Sequence, residues 1–441
     1  MRNIKFTLIG LLLACTACNL ESDDAQVFTF DDFQNFFNLA YNNTRTYLNG
    51  YYNASEVSSD EMIPLSAGPA ISEWERLYQH TWTPSDPTML SIWDEAYEGI
   101  SLCILALNIG DDSETSISND FIAELRALRA FYYYLLMDSF GGVPILDSDF
   151  AGKAYPPRSS RQEVFDYIEK ELTEALPNLS DSPVYGRINR DVANAILAKL
   201  YLNAEVYTGT PQWEKCLATC REISVGGRFN LLPDYFENFD PNNHIAATEE
   251  IIFYNIFNVS AVPTGIQMNL QSRSLHLAHF GIVDRVQSPF LAVPPDFYNS
   301  FQHGEDKRAN AFIIGPQFSD FDTTDGTPLE DTQGEQINYT LDIPGFPIAE
   351  ESSGVRVLKY QLDPSSNGLD ANNDFAIFRL SDIILMEAEA LNELGDGPGA
   401  IELINRVRNR GFDSSGADIE DTGFNQTSLR DQILLESGHE L

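Results

Sequence analysis

The chain has 441 residues, of which 27 are Lys or Arg and 66 are Asp or Glu, for a formal charge of −39. That balance excludes a general nucleic-acid or anionic-membrane surface, because both partners require a positive footprint. With 43% hydrophobic and 12% aromatic residues, the chain can bury a substantial core and is not disordered by composition.

Arg2 and Lys5 precede an almost wholly apolar run from Phe6 to Ala14. The run has the length of a signal-peptide core and is too short to span a bilayer. No later stretch reaches the roughly 18 apolar residues of a membrane helix. Residues 1–17 are therefore expected to form a signal peptide. The run closes on Leu12-Leu13-Ala14-Cys15-Thr16-Ala17-Cys18, small residues directly before a cysteine, similar to a bacterial lipoprotein cleavage site. Cys15 has the better Leu three residues before it. Cys18 has the better small residue two before it and the better sequence after it, and is preferred as the lipidated residue. An acylated cysteine tethers a soluble domain to a membrane without spanning it. Residues 18–26, with Glu21, Asp23 and Asp24, read as an acidic tether, and residues 27–441 as one domain. Cys103, Cys216 and Cys220 remain; they form no disulfide framework. No His or second Cys pair accompanies Cys216 and Cys220, so all three read as small buried residues rather than zinc ligands.

The dominant pattern is helical. Glu124 to Phe140 carries Leu125, Leu128, Tyr132 and Leu135 on one face and stops at Gly141-Gly142. Ser160 to Leu176 opens with a capping-box spacing, Ser160 and Glu163. Val192 to Tyr207 is apolar on two faces, and Trp213 to Ser224 is a shorter helix. Leu380, Ile384, Ala388 and Leu391 line a further helix, then Ala400, Leu403, Ile404 and Val407 line another ending at Gly411. The short connections imply helical hairpins. The expected fold is mainly α, a tetratricopeptide-like hairpin scaffold over 27–225 and 376–441, although no clean 34-residue repeat is present. Residues 226–375 are rich in Gly, Pro, Asn and Asp, with strand-like runs such as Glu250–Phe257 and Val355–Leu362. They read as a loop-rich elaboration with a few short strands, and so long a loop region is usually functional.

Several motifs follow one another in a recognisable order. They are Cys18-Asn19-Leu20-Glu21, Ser59-Asp60-Glu61, and Trp93 with Tyr97 and Ile100. Glu124-Leu125-Arg126-Ala127-Leu128-Arg129-Ala130-Phe131-Tyr132-Tyr133 follows, then Phe140-Gly141-Gly142-Val143-Pro144. Downstream come Asp306-Lys307-Arg308, Lys359-Tyr360, Phe378-Arg379-Leu380-Ser381-Asp382, Glu387-Ala388-Glu389-Ala390-Leu391-Asn392 and Ile404-Asn405-Arg406-Val407-Arg408. In this order the chain resembles the SusD/RagB family of outer-membrane nutrient-binding lipoproteins from Bacteroidetes. The family usually has Asn at the position of Ile104, and it continues past Glu436-Ser437-Gly438-His439-Glu440-Leu441 with a basic and aromatic segment. The resemblance implies a lipid-anchored protein of the cell outer membrane, facing the exterior. It implies a SusC-like TonB-dependent β-barrel transporter as partner, to which an oligosaccharide or peptide nutrient is delivered. No catalysis, cofactor or nucleic acid is implied. The alternative is a helical assembly lipoprotein that makes protein–protein contacts without a small ligand.

A sugar site needs flat aromatic faces and polar side chains for hydroxyls. Ser66 to Pro87 holds Trp74, Tyr78, His80 and Trp82 among Gly, Pro, Ser and Asp. By the resemblance, the loop after the Asp-Glu motif contributes ligand contacts. Trp74 ranks first, then Trp82 and Tyr78; for Trp82 a place in the core is an equal reading. Asn269, Gln271 and Arg273 read as a surface turn. Trp93 and Tyr132-Tyr133-Tyr134 lie on periodic helices and read as core. Arg126, Arg129, Arg379, Arg406 and Arg408 read as buried or bridging pairs with Glu124, Glu387 or Glu389. Asp320, Asp322, Asp325 and Gly326 are similar to a calcium loop, but with Asp331 at position twelve a solvated acidic loop is the better reading. No G-x-S-x-G, H-E-x-x-H or phosphate loop is present, and His276 with His279 lacks a third metal ligand.

Overall fold

Helix starts in this chain are written locally, by side chains that cap exposed backbone N–H groups. Ser160 Oγ accepts from Glu163 N at 3.2 Å while Glu163 Oε2 accepts from Ser160 N at 2.7 Å. This is the reciprocal cap its spacing implies. The computed structural model describes residues 29–45, 47–65, 72–110, 117–146, 156–182, 185–257, 275–280, 290–319, 326–344, 352–361, 372–412, 417–420 and 423–441. The expected signal peptide and tether, with Cys15 and Cys18, lie outside the described residues, as do Asn269, Gln271, Arg273, Asp320, Asp322 and Asp325.

Among the described residues nine helices have twelve residues or more. They are α1 (Phe30–Asn42), α2 (Pro87–Gly110), α3 (Asn119–Phe140), α4 (Arg161–Ala175), α5 (Arg190–Leu202), α6 (Trp213–Ser224), α7 (Leu380–Glu393), α8 (Gly397–Gly411) and α9 (Gln426–Glu440). α3 starts before the expected Glu124 and ends where expected. Gly141 has φ 73°, and a Cβ on Gly142 would lie 2.3 Å from the Ser159 carbonyl oxygen. The expected helix from Val192 to Tyr207 is two, α5 and a short Ala204–Thr208. Between them Asn203 turns its side chain onto the Lys199 carbonyl at 3.1 Å, a local bond that competes with helix continuation.

α1 packs on α2, α2 on α3 and α3 on α4; α5 packs on α6, α6 on α7, and α7 on α8 and α9. One large core, including Phe33, Phe37, Leu128, Tyr132, Phe165, Ile196 and Ile384, runs through this row. Ala127, Ala130, Ala195 and Ala204 are fully buried, as close helix approach requires. Tyr132, Tyr133 and Tyr134 are buried, and Trp93 is half-buried against Phe140. Cys103, Cys216 and Cys220 are buried free thiols.

The loop-rich region is tied together by four two-stranded antiparallel ladders. β1 (Ile63–Leu65) pairs with β3 (Phe290–Ala292), and β2 (Ile251–Asn255) with β8 (Phe375–Arg379). β4 (Phe312–Ile313) pairs with β7 (Arg356–Val357), and β5 (Gly315–Pro316) with β6 (Asn338–Tyr339). β8 runs directly into α7, so the elaboration and the scaffold share a continuous backbone and packed core.

The arginine pairs differ from expectation. Arg126 and Arg129 both bind Glu171 of α4, Glu124 binds Arg187, and Glu387 binds Arg221. Arg126 and Arg129 reach the neighbouring helix rather than acids on their own, and Arg406 is exposed. The largest group joins four arginines to four carboxylates, all buried: Arg308, Arg379, Arg408 and Arg410 with Glu250, Asp306, Glu436 and Glu440. Arg308 bonds Asp306 and Glu436, each at 2.7 Å. Arg379 bonds Glu440 at 2.9 Å, Arg408 bonds Glu436 at 2.8 Å, and Arg410 bonds both Glu250 and Glu440. The charges balance inside the protein, which is what allows them to be buried.

Removing one member leaves a buried charge unpaired. Glu440→Gln is expected to cost about 3–5 kcal/mol of unfolding free energy in urea at pH 7. Burial alone would raise the Glu440 carboxyl; Arg410, Arg379 and Arg308 overcome it and hold it at about 2, below the ordinary 4.5. Its contribution is therefore complete above pH 4.5 and fades as pH falls toward 2, a loss of roughly 3 kcal/mol. The acid limb of the stability curve should be correspondingly flatter in Glu440→Gln.

Candidate functional site

The segment after the Asp-Glu motif is built on a short capped helix, Glu73–Tyr78. Ser72 Oγ accepts from Glu75 N at 3.2 Å, and Glu75 Oε2 accepts from Ser72 N at 2.6 Å. The cap sets the helix so that Trp74 and Leu77 share its inner face. Trp74 is only 4% exposed and packs with Val57, Met62, Leu77, Leu291, Val293 and Val355. It cannot offer a ring face to a ligand, so the first-ranked contact is corrected to a core residue. The surrounding Gly, Pro and Ser conceal a single helical turn that buries it. Tyr78 is half-buried against the same cluster.

Trp82 has the opposite setting and is 43% exposed. Its loop is clamped by Arg76, which holds Asp86 through Nε at 3.1 Å and through a terminal nitrogen at 2.5 Å. Asp86 also accepts from Thr83 N at 2.8 Å. The Arg76 bonds, then the Thr83 N–H, keep the Asp86 carboxyl below its ordinary range. His80 takes φ 55°, a left-handed conformation that His tolerates better than most residues. Its Nε2 lies 2.9 Å from the Ser58 carbonyl oxygen, and its ring centroid is 5.5 Å from that of Trp82.

Trp82 borders a cleft of about 170 Å³ with a floor of Leu77, Met89 and Ile92. The polar wall is Tyr51, Ser55, Ser58, Asp138 and Ser139. Asp138 is exposed at the end of α3, and its two oxygens accept from Tyr51 at 2.7 Å and Tyr207 at 2.5 Å. An aromatic face beside fixed hydroxyls and a carboxylate can stack one ring of a polar ligand and accept from its hydroxyls. Of this wall the sequence reading contained only Trp82. The rest comes from residues far apart in the chain, on α3 and on the stretch from Tyr51 to Ser58.

Tyr51 and Ser55 also border a larger cavity of about 380 Å³, lined among others by Tyr47, Tyr52, Tyr360, Phe375, Glu56, Glu61 and Lys359. Its rings pack on one another, with Tyr47–Tyr51 centroids 5.2 Å and Tyr52–Phe375 centroids 4.8 Å apart. Burial and the adjacent Glu61 charge push Glu56 up to about 8. Burial and Arg379 bring Lys359 down to about 8. Lys359 also bonds the Leu441 carbonyl. These groups line the same cavity, and the Lys359 bond ties its wall to the residue that follows α9.

Among the described residues no three His, Cys, Asp or Glu side chains are grouped to hold a metal, and no helix is long and apolar enough to cross a membrane. Asp331, the last position of the calcium-like spacing, binds the backbone N–H groups of Gln333 and Glu335 in its own turn.

Comparison with known proteins returns two family models. One, described as the SusD family, matches residues 292–441; the other, described as starch-binding and associating with the outer membrane, matches residues 19–202. A SusD-like protein of Formosa agariphila is 25% identical over 84% of this chain and 70% of its own length. The starch-binding protein SusD of Bacteroides thetaiotaomicron is 27% identical over 46% of this chain and 36% of its own. Among solved structures, a SusD-like protein of Bacteroides fragilis superposes with TM-score 0.71 at 20% identity, covering 95% of this chain and 85% of that one. A SusD-like carbohydrate-binding protein of Bacteroides vulgatus gives 0.69 at 20% identity, over 93% and 80%. These structural likenesses establish the fold.

The two tryptophans should separate in denaturation experiments. Trp74→Ala is expected to cost about 3–5 kcal/mol by removing a buried indole. Trp82→Ala should stay within about 0.5 kcal/mol of the parent.

Proposed function

Since the chain belongs to the SusD family, we propose that it captures an oligosaccharide, or a peptide in the same role, at the outer surface of the cell. On this reading the protein is anchored in the outer membrane through Cys18 and passes its ligand to a SusC-like TonB-dependent transporter. It performs no chemistry on the ligand. The lipoprotein-like sequence before Cys18 supports the anchor, and the family model described as starch-binding and associating with the outer membrane supports the location and ligand class.

The observation that carries the proposal is the Trp82 cleft. Trp82 is the exposed indole of the loop that follows the Asp-Glu motif, and it lines one cleft with polar acceptors. A pyranose presents an apolar C–H face and a rim of hydroxyls, the two features this wall complements. The rings of the larger cavity are already engaged with each other and leave less free face for a sugar.

Calorimetric titration of residues 19–441 against a panel of neutral oligosaccharides and peptides tests this reading. A panel member should bind, and Trp82→Ala should weaken it by roughly tenfold or more, while Trp74→Ala matters only through stability. Binding that Trp82→Ala leaves untouched would remove the cleft from the function.

A further inference from the structure

The polar wall of the Trp82 cleft has a consistent hydrogen-bonding sense. The hydroxyl of Ser55 donates to the Tyr51 carbonyl at 2.9 Å, that of Ser58 to the Ser55 carbonyl at 3.3 Å, and that of Ser139 to the Leu135 carbonyl at 2.8 Å. The Tyr51 phenol donates to Asp138. Each of these hydroxyl protons is committed to the protein, so what the oxygens offer a ligand is lone pairs. The Asp138 carboxylate is likewise acceptor-only when ionised.

Asp138 is the charged residue of this wall, and two phenols fix its orientation. Lys199, whose charge also reaches Asp138, makes its ion pair with Asp382 at 3.0 Å. The cleft therefore joins a carboxylate, a set of four acceptor hydroxyls and an indole. An ammonium group satisfies all three at once: it carries three donors, pairs with the carboxylate and is attracted to the aromatic face. A uronate or sulfate fails on both counts, since it brings further acceptors and like charge.

We infer that the Trp82 cleft selects an amino sugar, a saccharide ring bearing a free ammonium group that binds between Trp82 and Asp138. The inference rests on the saccharide-capture reading and narrows it to a charge class.

The test compares three ligands of equal length on the full chain by calorimetry at pH 6: a β-1,4-glucosamine tetramer, its N-acetylated counterpart and an oligogalacturonate. The expected order is amine, then N-acetyl, then uronate, with the first step on the order of tenfold. Asp138→Asn should bring the amine to N-acetyl ratio to about one. A ratio that survives in Asp138→Asn overturns the inference, because it would report the attraction of a polycation to the acidic surface as a whole. So does N-acetyl or uronate binding as tightly as amine in the parent protein; the saccharide reading then still stands if Trp82→Ala weakens that binding. No binding of any ligand here or across the wider panel overturns both. If Asp138→Asn fails to fold, Asp138→Ser is read in the same titration: an amine preference that survives there overturns the inference, and its loss supports it.

Discussion

The structure depends on a charge balance that must be closed inside the protein. Four arginines and four carboxylates are buried together, and each guanidinium is tolerable only because a carboxylate from another part of the chain meets it. Glu250 enters before β2, Asp306 and Arg308 from the loop-rich region, Arg379 from the end of β8, Arg408 and Arg410 from α8, and Glu436 and Glu440 from α9. Apolar packing could be satisfied by many arrangements of these segments. Arrangements that leave one of these charges buried and unpaired are strongly disfavoured. Tyr235 and Phe239 sit beneath Arg379, with ring centroids 5.8 and 5.2 Å away, so even the faces of the guanidinium groups are used.

That balance also explains which parts of the fold were legible in the sequence. Helices with an apolar stripe, such as α3 and α7, stand out because Leu and Ala recur at helical spacing. α9 does not, because its inward face carries Glu436, His439 and Glu440 beside Leu429 and Ile433, and carboxylates read as solvent-facing until their arginines are known. α1 has a readable start of its own: Thr29 and Asp32 form a capping box ahead of Phe33 and Phe37. The motif fragments Asp306-Lys307-Arg308 and Phe378-Arg379 were visible as words without a meaning; the buried network supplies one.

The candidate site was half legible for a related reason. Residue type alone cannot tell an indole that fills a core from one that faces solvent. Trp74 and Trp82 lie in the same polar segment, yet one belongs to a capped helical turn and the other to the loop held by Arg76 and Asp86. Spacing within that turn decides the matter, since Trp74 and Leu77 fall on one face. Asp138 was hidden at the end of a core helix, where its role comes from Tyr51 and Tyr207 far away in sequence. Exposed loop position marks the aromatic part of such a site, whereas its polar part comes from long-range packing.

The distances along the chain spanned by the buried pairs have a kinetic consequence. Arg308 and Glu436 are 128 residues apart, and Glu250 and Arg410 are 160 apart. The row from α1 to α4, by contrast, is joined by contacts between successive helices. Local contacts close quickly, while loops of this length close late. A chain that forms from its N-terminus can therefore assemble the first hairpins while Glu250 still lacks Arg410, and Arg308, already beside Asp306, still lacks Glu436. The loop-rich region must stay hydrated around those charges until α8 and α9 emerge, so its consolidation is the closing event of folding rather than an early one.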